Sequence, residues 1–144
     1  MSKTATIPLP CLSASFRRAA RVLTQHYETA LRPLGLRGTQ FTLLQALFRT
    51  GEVSQGTLGK ILAIDSTTLT RTLAIMERQG WIDTRPGNDR RERLLSLSTA
   101  GRAEYKRALP HWEKVQQELR GQFGNKRWNE LFNVTTEVTA AVTE

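Results

Sequence analysis

Two stretches of this 144-residue chain carry side chains suited to binding chemistry. The first is Ser66-Thr67-Thr68-Leu69-Thr70-Arg71. Short hydroxyls permit close approach to phosphates and base edges, and threonine adds a methyl group that can meet thymine. Arg71 can hold a guanine or a phosphate through two parallel hydrogen bonds. The second stretch is Asn88-Asp89-Arg90-Arg91-Glu92-Arg93, a run of arginines broken by two acids. Arginine on a flexible ribbon suits the narrow minor groove of A·T-rich duplex, and Asp89 is placed to orient such a side chain. For any one hydroxyl, capping a helix is as good an account as touching DNA. The two stretches together point to double-stranded DNA.

The overall charge agrees. Lys and Arg number 21 against 13 Asp and Glu, a net of +8. Basic surface gains free energy by releasing phosphate counterions, although basicity alone is weak evidence. Other chemistries find less support. No Ser/His/Asp arrangement has a recognisable nucleophile–base motif, so no catalytic residue is expected and an enzyme is the poorer reading. The single Cys11 excludes an internal disulfide or a cysteine-rich metal site, and His26 and His111 lie far apart. No metal or cofactor is expected. No apolar run approaches the roughly 20 residues a membrane helix needs. Met1–Pro10 has one Lys and no long apolar stretch, so it does not read as a secretory signal. The cytoplasm is the expected compartment, with no membrane partner.

The elements that must position the two stretches follow from periodicity and punctuation. Residues 1–12, with Pro8 and Pro10, read as an extended arm. Ser13 or Ser15 is expected to cap a first helix carrying Phe16, Ala20, Leu23, Tyr27 and Leu31 on one face, ended by Pro33 and Gly35. A second helix is expected over 38–49, apolar on most sides. Ser54 caps a third, ending near Leu62, with Leu58, Ile61 and Leu62 inward. Asp65 caps a fourth, 66–79, whose stripe is Leu69, Leu73 and Met76, and Gly80 ends it. Residues 81–85 and 93–98 read as a hairpin around Pro86-Gly87-Asn88-Asp89. Thr99 is expected to cap a long helix to about Phe123, kinked or broken at Pro110, and a final helix covers 126–142. The fold class is therefore mainly α with a small β-hairpin wing. Residues 54–79 have the shape of a helix-turn-helix, whose second helix offers its N-terminal residues to the major groove.

Several local patterns combine into one resemblance. Asp89-Arg90-Arg91 followed by five residues and Leu97-Ser98, then Thr99-Ala100-Gly101, matches the wing signature of the MarR family of bacterial regulators. Asp65-Ser66-Thr67-Thr68-Leu69-Thr70-Arg71, continuing through Met76-Glu77-Arg78-Gln79-Gly80-Trp81-Ile82, is similar to that family's recognition helix. Leu34-Gly35-Leu36 and Thr39-Gln40-Phe41 match the start of its second helix. The resemblance covers nearly the whole chain. It implies a transcription regulator, usually a repressor, that binds pseudo-palindromic double-stranded DNA as a homodimer. Residues 1–35 would form an N-terminal arm and dimerisation helix, 36–98 a winged helix-turn-helix lobe, and 99–144 C-terminal dimerisation helices. Residue by residue it puts Thr67, Thr68, Thr70 and Arg71 at the DNA, Arg91 at the wing tip and Asp89 in support. Ser66 and Arg90 join these on the residue reading. Trp112, Leu119, Phe123, Trp128, Leu131 and Phe132 carry more apolar surface than one small lobe needs, which agrees with burial against a partner.

The resemblance also implies control by a small aromatic or phenolic effector held between the dimerisation helices and the lobe. Phe16, Ala20, Tyr27, Phe41, Gln45 and Trp112 are candidate lining, and Arg17 or Arg21 is placed to meet a carboxylate. Plain core packing and plain surface charge are the better account of each of these taken singly. Members that sense hydroperoxide carry a reactive cysteine near the first helix, and Cys11 lies there beside Arg17 and Arg18. A redox-responsive repressor, and a winged helix serving as a protein-interaction module, are the alternatives.

Overall fold

The computed structural model describes residues 7–143; residues 1–6 of the expected arm and residue 144 lie outside them. In chain order come helix α1 (Leu12–Leu31), a 3-10 turn (Arg32–Leu34), helix α2 (Gly38–Thr50), strand β1 (Val53–Ser54) and helix α3 (Gln55–Leu62). Helix α4 (Ser66–Arg78), strands β2 (Ile82–Pro86) and β3 (Arg93–Leu97), and helices α5 (Thr99–Phe123) and α6 (Asn125–Val142) follow. The strands form one antiparallel sheet in the order β1-β3-β2. This is a mainly helical winged helix-turn-helix.

The core gathers one stripe from each element of the lobe. Leu43, Leu44 and Leu47 of α2, Leu58 of α3, and Leu69, Leu73 and Met76 of α4 are buried. Leu95 and Leu97 of β3 join them, together with Tyr105 and Ala108 of α5. Leu95 and Leu97 alternate with half-buried Leu94 and Ser96, as the two-residue period of a strand requires. The α4 stripe at spacings of four and three sits on one helical face, which fixes the rotation of that helix in its bed.

The helix ends differ from expectation in instructive ways. Cys11, not Ser13 or Ser15, is the N-cap of α1, its Sγ accepting from the Ala14 N–H at 3.5 Å. Ser15 instead donates its hydroxyl to the Leu9 carbonyl at 3.0 Å, which ties the preceding segment down. Ser98, not Thr99, caps α5 by accepting from Gly101 N–H at 3.0 Å, and the same hydroxyl donates to the Gly80 carbonyl at 2.6 Å. The helix is unbroken through Pro110. Proline there forfeits one backbone bond, and packing of Ala108, Val115 and Leu119 carries the helix across it. Ile61, expected inside, is 54% exposed; the face of α3 that meets the core carries Leu58, buried, and Leu62, half-buried. The two-residue β1 had no sequence signal because its pairing with Leu94 and Leu95 is supplied entirely by β3.

The start of α2 lacks a capping hydroxyl at Arg37, and neighbours replace it. Gln40 Oε1 accepts from the Arg37 N–H at 2.9 Å, and Glu28 Oε1 of α1 accepts from the Gly38 N–H at 2.8 Å. A carboxylate from one helix thus closes the N-terminus of the next.

Gly101 joins the wing to α5. A Cβ there would stand 2.1 Å from the carbonyl oxygen of Trp81. That oxygen is held by the Ser98 N–H at 3.0 Å, so it cannot give way. Alanine is the better helix former by roughly 1 kcal/mol, but overpacking against fixed backbone costs about 1–3 kcal/mol. Gly101→Ala is therefore expected to be net destabilising despite its helical position. A lowered urea midpoint with an unchanged slope checks this; an unchanged or raised midpoint refutes it.

Candidate nucleic-acid interface

Helix α4 begins at Asp65, whose Oδ2 accepts from the Thr68 N–H at 3.0 Å. Hydrogen bonds from the Thr68 hydroxyl and then its backbone N–H hold the Asp65 carboxyl below its usual range. With the Leu69–Leu73–Met76 stripe buried, the remaining sides of the first two turns point outward. Ser66, Thr67, Thr68, Thr70 and Arg71 are all exposed.

Helix α3 lies against this start. Gln55 Nε2 donates to the Thr70 hydroxyl at 3.0 Å, so Thr70 is oriented by α3 rather than free. At Gly59 the two helices come close: a Cβ there would touch the Ile64 carbonyl and Leu69 Cδ2 at 3.4 Å, ordinary contact distance. Ala63 makes the sharp turn between them with φ of +52°, a left-handed conformation uncommon for alanine.

The hairpin closes at its tip through Gly87 N–H to the Glu92 carbonyl and Glu92 N–H to the Asp89 carbonyl, each 2.9 Å. Asp89 Oδ1 accepts from the Arg91 N–H at 3.1 Å, which fixes the tip backbone rather than an arginine head group. The arginines of the wing divide into two sets. Arg85 binds Glu52 through two bonds of 2.7 and 2.5 Å, tying β2 to the residue before β1. Arg93 binds Glu77 and so clamps β3 to the end of α4. Arg90 and Arg91 are exposed.

These elements enclose a groove of about 850 Å³ whose walls include Ser54, Gln55 and Lys60 of the α3 side, Ser66 of α4, and Asp89 and Arg91 of the wing. The groove therefore brings Ser66, Asp89 and Arg91 together. Thr67, Thr70, Arg71 and Arg90 lie outside its walls, on exposed surface. Gln55 and Lys60 were missed from sequence. Lys60 was visible as the sole cation of α3, but nothing in its spacing showed that α3 would face the wing. The Glu52–Arg85 and Glu77–Arg93 pairs span 33 and 16 residues and had no local signature.

A second cavity, about 420 Å³, opens between α1, α2, α4 and α5 and shares Ile64 and Leu69 with the groove. Ala20 and Tyr27 of α1, Phe41 and Gln45 of α2, and Trp112 of α5 line it, with Thr68, Leu69 and Thr72 of α4. Phe16 and Arg17, expected there, do not line it, and neither does Arg21. Phe16 and Arg17 sit on the first turns of α1, before the wall that starts at Ala20, and Arg21 is exposed alongside that wall. Tyr27 donates its hydroxyl to Gln116 of α5, and burial raises its pKa. Cys11 is exposed, but its expected cationic neighbours are engaged elsewhere. Arg17 Nη1 donates to Ser13 Oγ at 3.1 Å and Arg18 Nη1 to the Ile7 carbonyl at 2.7 Å. Among the described residues no group of three His, Cys, Asp or Glu could hold a metal.

An exposed helix start beside an arginine-tipped hairpin defines a winged helix-turn-helix protein. Residues 36–92 match the model of the MarR family. The chain is 29% identical over 106 residues to the uncharacterised HTH-type transcriptional regulator YwoH of Bacillus subtilis, covering 74% of this chain and 77% of that protein. It is 34% identical to the M. tuberculosis transcriptional regulator MosR, solved in complex with DNA, with a TM-score of 0.81 over 91% of this chain and 95% of that one. A mutant of E. coli MarR complexed with operator DNA shares the fold at a TM-score of 0.79 and 24% identity, over 88% of this chain and 92% of that one. The chain belongs to the MarR family and is a transcription regulator, not an enzyme.

The Asp65 cap yields a pH-dependent expectation. A carboxyl with a lowered folded-state pKa contributes stability above its unfolded value, and that stability is lost as pH falls through the folded value. Asp65→Ala is therefore expected to lower the denaturation midpoint at neutral pH, with the gap to wild type closing in acid. Asp65→Asn, which can still accept from Thr68, should keep most of the stability and flatten the pH dependence. A gap that persists unchanged into strong acid would exclude this account.

Proposed function

We propose that this chain represses transcription as a homodimer that binds pseudo-palindromic double-stranded DNA, and that a small aromatic ligand releases it. The observation that carries the DNA reading is the two-sidedness of α4: one stripe is fully buried while Ser66–Arg71 presents hydroxyls and a guanidinium outward. In this docking mode the helix N-terminus enters the major groove, where Thr67, Thr68, Thr70 and Arg71 meet base edges and phosphates. The wing carries Arg90 and Arg91 to the neighbouring minor groove, on a tip fixed by Asp89. MosR and E. coli MarR, solved with DNA, support the same reading. No helix of the described residues is long and apolar enough to cross a membrane, and the cytoplasm is where the DNA is met.

The dimer reading rests on apolar surface that one chain leaves uncovered. Leu12 is 66% exposed, Phe132 51% and Val142 78%, and no residue of α6 is buried. These belong to the first and last helices, the segments assigned to dimerisation. Leu119 and Trp112 drop out of that set: Leu119 is buried within the chain, and Trp112 packs on Phe41 with ring centroids 5.8 Å apart. Trp128 packs edge-on to Phe132, which leaves their common face outward on α6.

The second cavity supports the effector reading, because its wall includes Thr68, Leu69 and Thr72 of the helix proposed to face DNA. A ligand there can bias the position of α4 by as much as its affinity differs between the two positions. This site is favoured over oxidation of Cys11, whose Sγ is hydrogen-bonded by the Ala14 backbone N–H and by no basic side chain among the described residues.

Arg71→Ala is expected to weaken operator binding by roughly 1–3 kcal/mol relative to random DNA if Arg71 reads a base. Arg91→Ala should weaken binding to sites with a narrow A·T-rich minor groove beside the half-site more than to sites with G·C there, and an equal loss on both would assign it to phosphate instead. Leu131→Asp with Phe132→Asp should give a monomer by light scattering and abolish operator binding. A dimer retained in that variant, or full operator affinity in a monomer, would refute the proposed assembly.

A further inference from the structure

We infer that Gln55 is a positioning residue for sequence readout: it holds the Thr70 hydroxyl as a hydrogen-bond donor toward the major groove, and so selects a base edge that offers an acceptor there. This rests on the DNA reading above and deepens it. Gln55 opens α3, and Thr70 stands on the second turn of α4, 15 residues further on.

A threonine hydroxyl inside a helix ordinarily donates to the carbonyl one turn back. Thr29, Thr42, Thr72 and Thr139 all do so, at 2.9, 3.0, 3.1 and 2.9 Å. A hydroxyl bonded in this way has spent its one hydrogen and keeps only acceptor capacity. Thr70 departs from the pattern. Its Oγ1 accepts from Gln55 Nε2 at 3.0 Å, and it donates to no carbonyl among the described residues.

That one bond sets two torsions. It fixes χ1, since Oγ1 must face α3, and with it the place of the threonine methyl. It also fixes the hydroxyl rotor: a lone pair of Oγ1 is aligned on an N–H, so the hydroxyl hydrogen points away from Gln55. Thr70 is exposed, on the face it shares with Ser66, Thr67 and Arg71, and the hydrogen is offered to whatever lies against that face. Gln55 is itself held. It is half-buried, and it follows Ser54, whose Oγ accepts from the Thr57 N–H at 3.1 Å and pins the first turn of α3.

The consequence is a polarity rule. In the major groove guanine N7 and O6, adenine N7 and thymine O4 are acceptors, while cytosine N4 and adenine N6 are donors. A hydroxyl locked as a donor bonds the first set and meets the second hydrogen to hydrogen. An unlocked hydroxyl serves either set, or turns back to the Ser66 carbonyl and donates to neither. Gln55 therefore makes the discrimination without touching the DNA.

The test is selection of binding sites from a randomised duplex pool by the full chain, followed by titration of the selected duplex and of random DNA. We expect Thr70→Val to weaken the selected duplex roughly 5-fold per half-site and to leave random DNA unchanged. Thr70→Ser, which keeps the hydroxyl, should retain the preference. Gln55→Ala should flatten the preference at the same base pair as Thr70→Val, with the denaturation midpoint retained. Gln55→Met, which keeps the length without the donor, gives the same readout should alanine loosen α3. Gln55→Glu, whose carboxylate takes up the Thr70 hydrogen, should flatten that pair too, beyond the uniform weakening its charge causes on all DNA. The double variant of Gln55→Ala and Thr70→Val should lose no more than Thr70→Val alone, because one residue acts through the other. Additive losses would mean that Gln55 meets DNA itself, and equal losses of Thr70→Val on selected and random DNA would assign Thr70 to phosphate. Either result overturns the inference and leaves the DNA reading standing, as does a preference unchanged in the Gln55 variants. A wild-type chain that enriches no sequence overturns the DNA reading and this inference together.

Discussion

The burial of Leu69, Leu73 and Met76 against the lobe core is the interaction on which everything else depends. Each such side chain contributes roughly 1.5–3 kcal/mol relative to exposure, and together they set the rotation of α4 about its own axis. Successive residues of a helix are about 100° apart. A shift of one residue in which positions are buried would therefore turn Thr70 inward and Leu69 out. The polar face owes its direction to the apolar one. Nothing on the exposed side is stabilising enough to do this, since Ser66, Thr67 and Arg71 meet chiefly solvent.

Around that fixed helix, charge is used to place backbone rather than to supply bulk stability. Arg93 with Glu77 ties the wing to the far end of α4, and Arg85 with Glu52 ties the same hairpin to the segment leading into α3. Both pairs are partly solvated, where an ion pair is worth little in free energy. Their effect is geometric: two cross-links in different directions leave the hairpin little freedom to swing away from α4. The tip between them is left with its cations exposed. A basic tail of the same composition would keep the charge and lose the placement.

What could be read from the sequence was whatever local chemistry decides. The α4 stripe, the Ser54 and Asp65 caps, the left-handed Gly80 at φ of +76° and the hairpin turn all depend on residues within a few positions of one another. What could not be read depends on partners distant in sequence. The capping of α2 by Glu28 requires α1 to fold back past the 3-10 turn, and no spacing rule connects the two residues. The cap of α5 fell one residue early because Ser98 has a second bond, to Gly80, which rewards it over Thr99. Phe16 and Arg17 share the helical face of Ala20 by periodicity, yet the cavity wall ends before them. Periodicity locates a face but not how far along the helix its neighbours extend.

The two surfaces of the lobe are not independent, because Thr68 belongs to both. It is exposed on the turn proposed to meet DNA, and it lines the second cavity together with Thr72, one turn further on. Thr72 is in turn bonded to the Thr68 carbonyl at 3.1 Å. A group lodged in the cavity therefore acts on the turn that offers its outer face to DNA, without an intervening chain of contacts. Linkage then constrains the outcome. Whatever factor a ligand takes from the affinity for DNA, DNA must take from the affinity for that ligand. Three apolar side chains anchor α4 in the core, and Glu77 near its end is joined to the wing through Arg93, so a displacement of α4 is felt by the wing. Control of this kind is a choice between two placements of a rigid body, and packed interfaces favour such discrete alternatives over continuous deformation.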